Sequence, residues 1–454
     1  MDSLSTLRLL ASTITDAVNT MERAYTHSGM SPPSLNEPFN PKDPAEAIRQ
    51  EPAVSAAVMN LIAAASQITA TVCDPVVSAL NSSHAFHISS CLRVASEFNV
   101  VEILREAGPG GLHVKQIAAQ ITVPGNIDPE LLARVLRLLA THNIFREVSP
   151  GAFANNRISS TLDKGKSPAS LFEDRAGRLA GTSGIAALAE FFSEDCMKSS
   201  AYLTDTMMEP KENIVPYNRA FGTDEPMFHW VHRPENLYKL TRFAAGMHGT
   251  AATEPPDTIF QGFDWSRLPA GGVIVDSLKV VNQDLGHTVE GAKIHWKENF
   301  PEHVTKQMVE FQTHDFFTPQ PVKDAAVFLL RYIVHDWSDA RTVQILKHLR
   351  DAATPSTKLV IIEKILPAAS SGEGSKALEI PGAARPSAPA PLLPNWGIAT
   401  AELYYYDMTV HNMLGGGERT LEGYVDVFAR SGWNLVEVHH CGRSQLSHIV
   451  GRPM

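Results

Sequence analysis

The sequence predicts an α/β protein: a helical front with a winged-helix pattern, then a doubly wound, Rossmann-like parallel sheet. Three observations lead there. From about Asp264 onward, short apolar runs alternate with helical patterns, the texture of buried parallel strands joined by helices. Before that point the periodicity is helical, apart from a hairpin signal at Ser149-Pro150-Gly151. Finally, two strand-like runs, Gly-Gly-Val-Ile-Val-Asp and Leu-Lys-Val-Val-Asn-Gln-Asp, follow each other within residues 271–284 with one serine between them. A parallel connection ordinarily takes a dozen or more residues, so the first crossover of the sheet reads as deleted. The expected domains are 1–165, helical and winged-helix; 166–260, a helical connection contributing to a substrate pocket; and 261–454, the sheet domain.

Taken in order, MDSLSTLRLLASTITD has too short an apolar run for a signal peptide and reads as an amphipathic helix. Residues 26–46, rich in proline, serine and asparagine, read as an exposed connection. The charge-free run Pro52 to Cys73 has membrane-spanning length. It carries Asn60, Ser66, Gln67, Thr69 and Thr71, which favours a buried or dimer-forming helix over a span. From Leu112 to Ser159 the pattern is helix, turn, helix, hairpin, with Leu132, Val135, Leu136 and Leu139 on one helical face. That second helix offers only Arg134 and Arg137 among leucines, so it is read as packing rather than contacting DNA.

The expected strands of the sheet are Val273–Asp276, Lys279–Asp284, Val309–His314, Ala326–Val334 and Leu359–Glu363, closed by a hairpin of Asn434–His439 and Leu446–Gly451. Residues 367–397, rich in alanine, proline and serine, read as a mobile insertion at the ligand-facing edge, a disordered loop or a lid.

The 454 residues carry a net charge of -10. An acidic chain lacks the electrostatic footprint for nucleic acid or an anionic membrane surface. Cys73, Cys91, Cys196 and Cys441 form no CxxC or Cys/His ligand spacing, so neither a metal site nor a disulfide framework is expected, and a reducing cytosol fits.

The densest chemical signal is RYIVHDWSDARTVQILKHLRDA. A buried strand runs into His335, and Ser338 is placed to cap the following helix, which sets an imidazole at the sheet edge where open α/β sheets bind ligands. KLVIIEKILP brings Glu363 to the same edge, and GGGERTLEGY brings Glu418 just before another helix. One histidine and two carboxylates there suit proton transfer, with a carboxylate, Glu363 first and Glu418 second, fixing the imidazole tautomer.

With HDWSD, IIEKILP and GGGERT in this order, the chain resembles the plant and fungal class of small-molecule O-methyltransferases from about residue 50 onward. The resemblance implies that His335 deprotonates an acceptor hydroxyl, that Glu363 and Glu418 flank it, and that the protein is a homodimer. It also implies a donor site for S-adenosylmethionine on a glycine-rich loop after the first strand, in a pattern such as VDVGGGxG. Here IVDS is followed at once by LKVVNQDL, so about twenty residues of the crossover are missing and no cofactor is expected. Asp284 matches the ribose-binding acid, Asp315 and Phe316 the adenine-side pair, and Arg331 a basic contact; these are read as vestigial.

A retained acid/base group beside a lost donor loop resembles the fungal methyltransferase-like pericyclases. That implies donor-independent dehydration of an alcohol to a quinone methide and its Diels-Alder, hetero-Diels-Alder or Alder-ene closure, on a small polyketide or alkaloid substrate. The expected pocket lining is Phe228, Trp230, Met247, Tyr332 and Trp337. Met408 and Met413 join them, with His411 and Asn412 as polar points. The alternatives are an S-adenosylmethionine-dependent O-methyltransferase acting on a phenolic or polyketide hydroxyl, and a non-catalytic dimerisation partner.

Overall fold

The computed structural model describes residues 2–454 apart from 256, 269–273, 276–279, 324, 371–374 and 443. The chain divides into two compact units, Met1–Glu254 and Pro255–Met454. Most of the expected helical connection, 166–260, falls inside the first.

In the first unit, helix α1 (Ser3–His27) begins where the Asp2 carboxylate accepts from the Ser5 amide at 2.9 Å. It packs along α2 (Pro52–Val72), burying Leu10, Ala17 and Tyr25 from one helix and Val54, Ala57 and Ala64 from the other. By length and composition α2 would be able to cross a membrane. Its Thr69 and Thr71 hydroxyls donate to the carbonyls of Ala65 and Gln67, which satisfies polar groups within the helix itself.

The expected helix-turn-helix and hairpin are present as α3 (Val114–Gln120), α4 (Pro129–Thr141), β2 (Arg146–Ser149) and β3 (Ala152–Ala154). A short strand, β1 (Leu112–His113), adds to the hairpin and gives an antiparallel sheet in the order β1-β3-β2. Gly111 sits at φ +69°, and a Cβ there would lie 2.2 Å from the Phe153 carbonyl oxygen, so only glycine lets β1 close on β3. Leu132, Leu136 and Leu139 of α4 are buried, and Arg137 is paired with Glu147 of the hairpin at 2.9 Å.

Among the described residues of the second unit, seven strands form one sheet in the order β6-β5-β4-β7-β8-β10-β9. The strands are β4 (Ile274–Val275), β5 (Val280–Asp284), β6 (Val309–Thr313), β7 (Val327–Arg331), β8 (Lys358–Lys364), β9 (Trp433–His440) and β10 (Leu446–Pro453). The first five are parallel, and β10 and β9 close the edge antiparallel. Alternate residues face opposite sides: Phe328, Leu359 and Ile361 enter one core cluster, Val327, Leu329, Val360 and Ile362 the other. Both faces of the sheet centre are therefore covered.

Ile274 of β4 pairs with Val280 of β5, and between Val275 and Val280 the chain has only four residues. The remainder of that expected connection, Asp276 to Lys279, and Val273 lie outside the described residues. The run expected as Ala326–Val334 is strand only to Arg331; Tyr332 turns it away and Val334–Asp336 form a 3-10 turn.

The insertion after β8 is anchored where it is described. The Arg385 guanidinium donates to His440 Nδ1 at 2.9 Å and to Ser447 Oγ at 2.7 Å, and the Val438 amide donates to the Pro381 carbonyl at 2.9 Å. The composition predicts mobility; the hydrogen bonds to β9 and β10 hold the strap instead. Residues 371–374 of it lie outside the described residues.

Candidate active site

The site lies where β7 and β8 end side by side, in the register Arg331↔Ile362. His335 sits on the turn that leads to α7 (Asp339–Ala352). Ser338 occupies the N-cap position of that helix but makes no side-chain cap bond, contrary to the sequence expectation.

Glu363, near the end of β8, is fully buried. Its Oε1 accepts from the amides of Ile333 at 3.0 Å and His335 at 3.1 Å. Its Oε2 accepts from the Tyr424 hydroxyl at 2.8 Å, Tyr424 lying on α9 (Leu421–Arg430), which follows α8 (Ala401–Leu414).

Glu418 arrives from the GGGERT segment between α8 and α9. Gly417 donates its amide to the His335 carbonyl at 2.8 Å, and a Cβ on Gly416 would lie 2.1 Å from that same oxygen. The glycines let this segment press onto the turn. Glu418 Oε1 then meets His335 Nδ1 at 2.9 Å, while its backbone amide donates to Asp407 Oδ1 at 2.9 Å. Arg419 clamps the turn from beneath: it donates to the Val334 carbonyl at 2.8 Å, the Trp337 carbonyl at 2.7 Å and Asp339 at 2.9 Å.

The two glutamates thus divide the work differently from the sequence expectation. Glu418 holds the imidazole, and Glu363 holds the backbone on which the imidazole stands. With Nδ1 engaged by Glu418, the ring's other nitrogen, Nε2, has Asp336 Oδ1 3.4 Å from it.

Burial opposes charge on His335. The hydrogen bond to Glu418 and the charges of Glu363, Asp336 and Glu418 outweigh it and raise its pKa to about 9. Burial raises Asp336 to about 6, against the pull of His335. Glu363 is raised as well, chiefly by burial.

The other expected residues fall into three places. In the second unit the Tyr332 ring stands 5.4 Å from the imidazole, and Trp337 packs on Phe316 at 5.9 Å, so a residue expected for substrate and one expected for the donor share one aromatic cluster. On α8, Asn412 and Met413 are buried, with Asn412 Oδ1 lacking a hydrogen-bond partner among the described residues, whereas Met408 and His411 are exposed.

Among the donor positions, Asp284 closes β5 with an exposed carboxylate that accepts from the Leu285 amide at 2.7 Å, and Asp315 accepts from the Phe317 amide at 2.9 Å. The Arg331 guanidinium lies 5.7 Å from the Tyr332 ring centroid. Phe228, Trp230 and Met247 belong to the first unit, where Phe228 meets Phe243, Trp230 meets Tyr217, and Met247 is exposed on α6 (Leu237–Thr253), α5 being Ile185–Phe191. Among the described residues no three His, Cys, Asp or Glu side chains converge as metal ligands.

Sequence reasoning missed Asp336, Asp407, Arg419 and Tyr424. Asp336 and Arg419 stand inside HDWSD and GGGERT, so a signal was there; Asp407 and Tyr424 sit in ordinary helical patterns and gave none.

The O-methyltransferase domain family matches residues 272–381, and the O-methyltransferase dimerisation domain family matches residues 80–165. An O-methyltransferase of Armillaria gallica is 37% identical over 99% of this chain and 100% of that protein. The chain belongs to the O-methyltransferase family. A second family member, 4-O-methyltransferase 1 of Phanerochaete chrysosporium, is 36% identical over 96% of each chain. The family fold is shared with a solved structure described as a pericyclic reaction enzyme, with a TM-score of 0.59 and 17% identity over 90% of this chain and 98% of that one.

Proposed function

We propose that this O-methyltransferase-family chain activates the hydroxyl of a small phenolic, polyketide or alkaloid molecule, with His335 Nε2 taking the proton. The observation that carries the reading is the imidazole held at Nδ1 by Glu418 at 2.9 Å, on a backbone fixed by Glu363. Such a positioned base contributes about a hundredfold or more to proton transfer. Tyr332 and Trp337, the aromatic residues flanking the turn in sequence, offer ring faces to a conjugated substrate.

The step that follows depends on S-adenosylmethionine, which the family implies. Asp284, Asp315 and Phe316 suit the ribose and adenine end. Between β4 and β5, however, the chain has only Asp-Ser-Leu-Lys, with no glycine and no length for a crossover helix. The residues present do not fit the whole donor. The reading for this chain is therefore donor-independent: His335 and its carboxylates move protons within one substrate, assisting loss of water and a pericyclic closure held in a near-attack geometry.

A second reading, methyl transfer to a phenolic hydroxyl, is favoured by the relatives at 36% and 37% identity, both named O-methyltransferases. Calorimetric titration with S-adenosylmethionine, paired with a labelled-methyl assay on a panel of phenols, separates the two. Absence of binding and transfer is expected; micromolar binding with transfer establishes the second reading. The proposal includes a homodimer, supported by the dimerisation-domain match and by exposed Val72, Val76, Val77, Leu80 and Phe86. Sedimentation at micromolar concentration tests it.

A further inference from the structure

Tyr332 is a non-glycine residue at φ +53°, at the junction between β7 and the His335 turn. Left-handed backbone costs an L-residue energy and persists where the surroundings impose it, commonly at functional sites. Here the imposition is visible. The amides of Ile333 and His335 both point at one oxygen of Glu363, at 3.0 and 3.1 Å. In a continuing strand these two amides, two residues apart, would lie one full pleat repeat apart along the chain. Here Ile333 has helical dihedrals and Val334–Asp336 form a 3-10 turn, so both reach one acceptor, and the left-handed Tyr332 is where the strand gives way to that turn and aims it at β8. Glu363 is fully buried and takes its third bond from Tyr424, so this acceptor is itself fixed.

The side chain at this unusual position is also placed. Its ring lies 5.4 Å from the imidazole of His335, inclined by 38°, and packs against the hydrophobic cluster of Phe263, Val360 and Leu446. The Lys364 ammonium and the Arg331 guanidinium lie 5.9 and 5.7 Å from the same ring centroid. A glycine would take the backbone conformation freely. A tyrosine there supplies a ring at the imidazole that glycine lacks.

We propose that Tyr332 is a positioning residue of this site: its left-handed backbone turns the Ile333 and His335 amides onto Glu363, and its ring holds the imidazole where Nδ1 meets Glu418. This rests on the reading of His335 as the proton-transfer group, but its test is independent of substrate. The charged groups around the imidazole, Asp336 of its own turn, Glu363 of β8 and Glu418 before α9, are left unchanged by substitutions at residue 332.

The experiment is an NMR titration of histidine-labelled protein, with the His335 signal assigned from His335→Gln. Tyr332→Phe keeps the ring and is expected to titrate like the wild type. Tyr332→Gly keeps the backbone and removes the ring; its His335 is expected to bind a proton at least about tenfold more weakly, a shift of about one pH unit. Tyr332→Leu keeps the strain without the ring and is expected to lose proton affinity like the glycine variant while unfolding at a lower temperature than it.

A Tyr332→Gly protein whose His335 titrates as in the wild type overturns the ring's role, and a Tyr332→Phe protein displaced as far as the glycine variant does the same. Equal thermal stability of the glycine and leucine variants overturns the backbone part. If His335→Ala proves fully active, the functional reading fails while the titration still decides the role of Tyr332.

Discussion

Arg242 in the first unit, fully buried, and His335 in the second, half-buried, both stand among carboxylates, and the two clusters treat those carboxylates in opposite ways. Arg242 is fully buried, with nitrogens 2.6 Å from both Glu194 and Asp195, which stand on a π turn, Phe192–Cys196. Nearby, Arg178 reaches Glu190 at 2.6 Å and Glu97 at 2.7 Å. Although burial opposes it, hydrogen bonds from Lys198 and Arg242 hold Glu194 well below the usual carboxylate range, and Asp195 and Glu194 push Arg242 further up. Glu194 and Arg242 are both held in their charged forms there.

In the second cluster one imidazole faces three carboxylates: His335 is raised to about 9, toward its charged form, while burial raises Asp336 to about 6 and Glu363 as well, toward their neutral forms. Buried charge alone does not mark a site. What sets the second cluster apart is an imbalance of partners, one imidazole among three carboxylates, that displaces the titration of several groups at once.

That contrast is tested first by removing its structural half. Arg242→Ala leaves Glu194 and Asp195 without their shared partner and is expected to cost about 3–5 kcal/mol of stability, measured by urea denaturation. A cost below 1 kcal/mol would mean the first cluster is not structural. Removing the functional half should do the reverse: His335→Ala is expected to lose activity by about a hundredfold or more with an unfolding midpoint near that of the wild type.

A smaller effect should follow from Glu418→Gln, which removes the charge at Nδ1 but keeps a hydrogen-bonding group. The active base is the neutral imidazole, so in the wild type the rate climbs as pH rises toward about 9. In the variant that limb is expected to move to lower pH, read from a pH–rate profile. Stability carries the matching sign. A histidine raised in the folded state stabilises fully below its unfolded value and loses that contribution as pH rises through about 9. Glu418→Gln should flatten that dependence in thermal melts across the same window. The smallest change expected is for Lys239→Ala: it is partly exposed beside Asp195, whose partner Arg242 remains, and the cost should be at most about 1 kcal/mol.

How far this site was legible in the sequence follows from where each contact lies. His335, Glu363 and Glu418 were found because each sits at a strand end or a glycine-rich loop, features that local pattern records. Their division of labour was not found, because Glu363 acts on backbone amides and Glu418 on a ring nitrogen, and residue type does not distinguish these. The strand through Ala326–Val334 was read too long because apolar periodicity carries through Tyr332, while what ends it is a carboxylate on the neighbouring strand. The winged-helix pattern was legible down to the buried leucines of α4, yet β1 was missed: two residues leave no periodicity, and only Gly111 hints at the close approach.

Arg385 and its bonds to His440 and Ser447 have one further consequence. The insertion joins the strand bearing Glu363 to the helix that leads to Glu418, so the two acids are brought together by closing a long loop. Closure entropy grows only with the logarithm of loop length. Pinning the strap at Arg385 divides one long closure into two shorter ones, so ordering the segment between Arg385 and Glu418 does not depend on the whole insertion being held. Length added on the Pro367 side of Arg385 should therefore be tolerated far better than length added between Arg385 and α8, where each residue loosens the approach of Glu418 to His335.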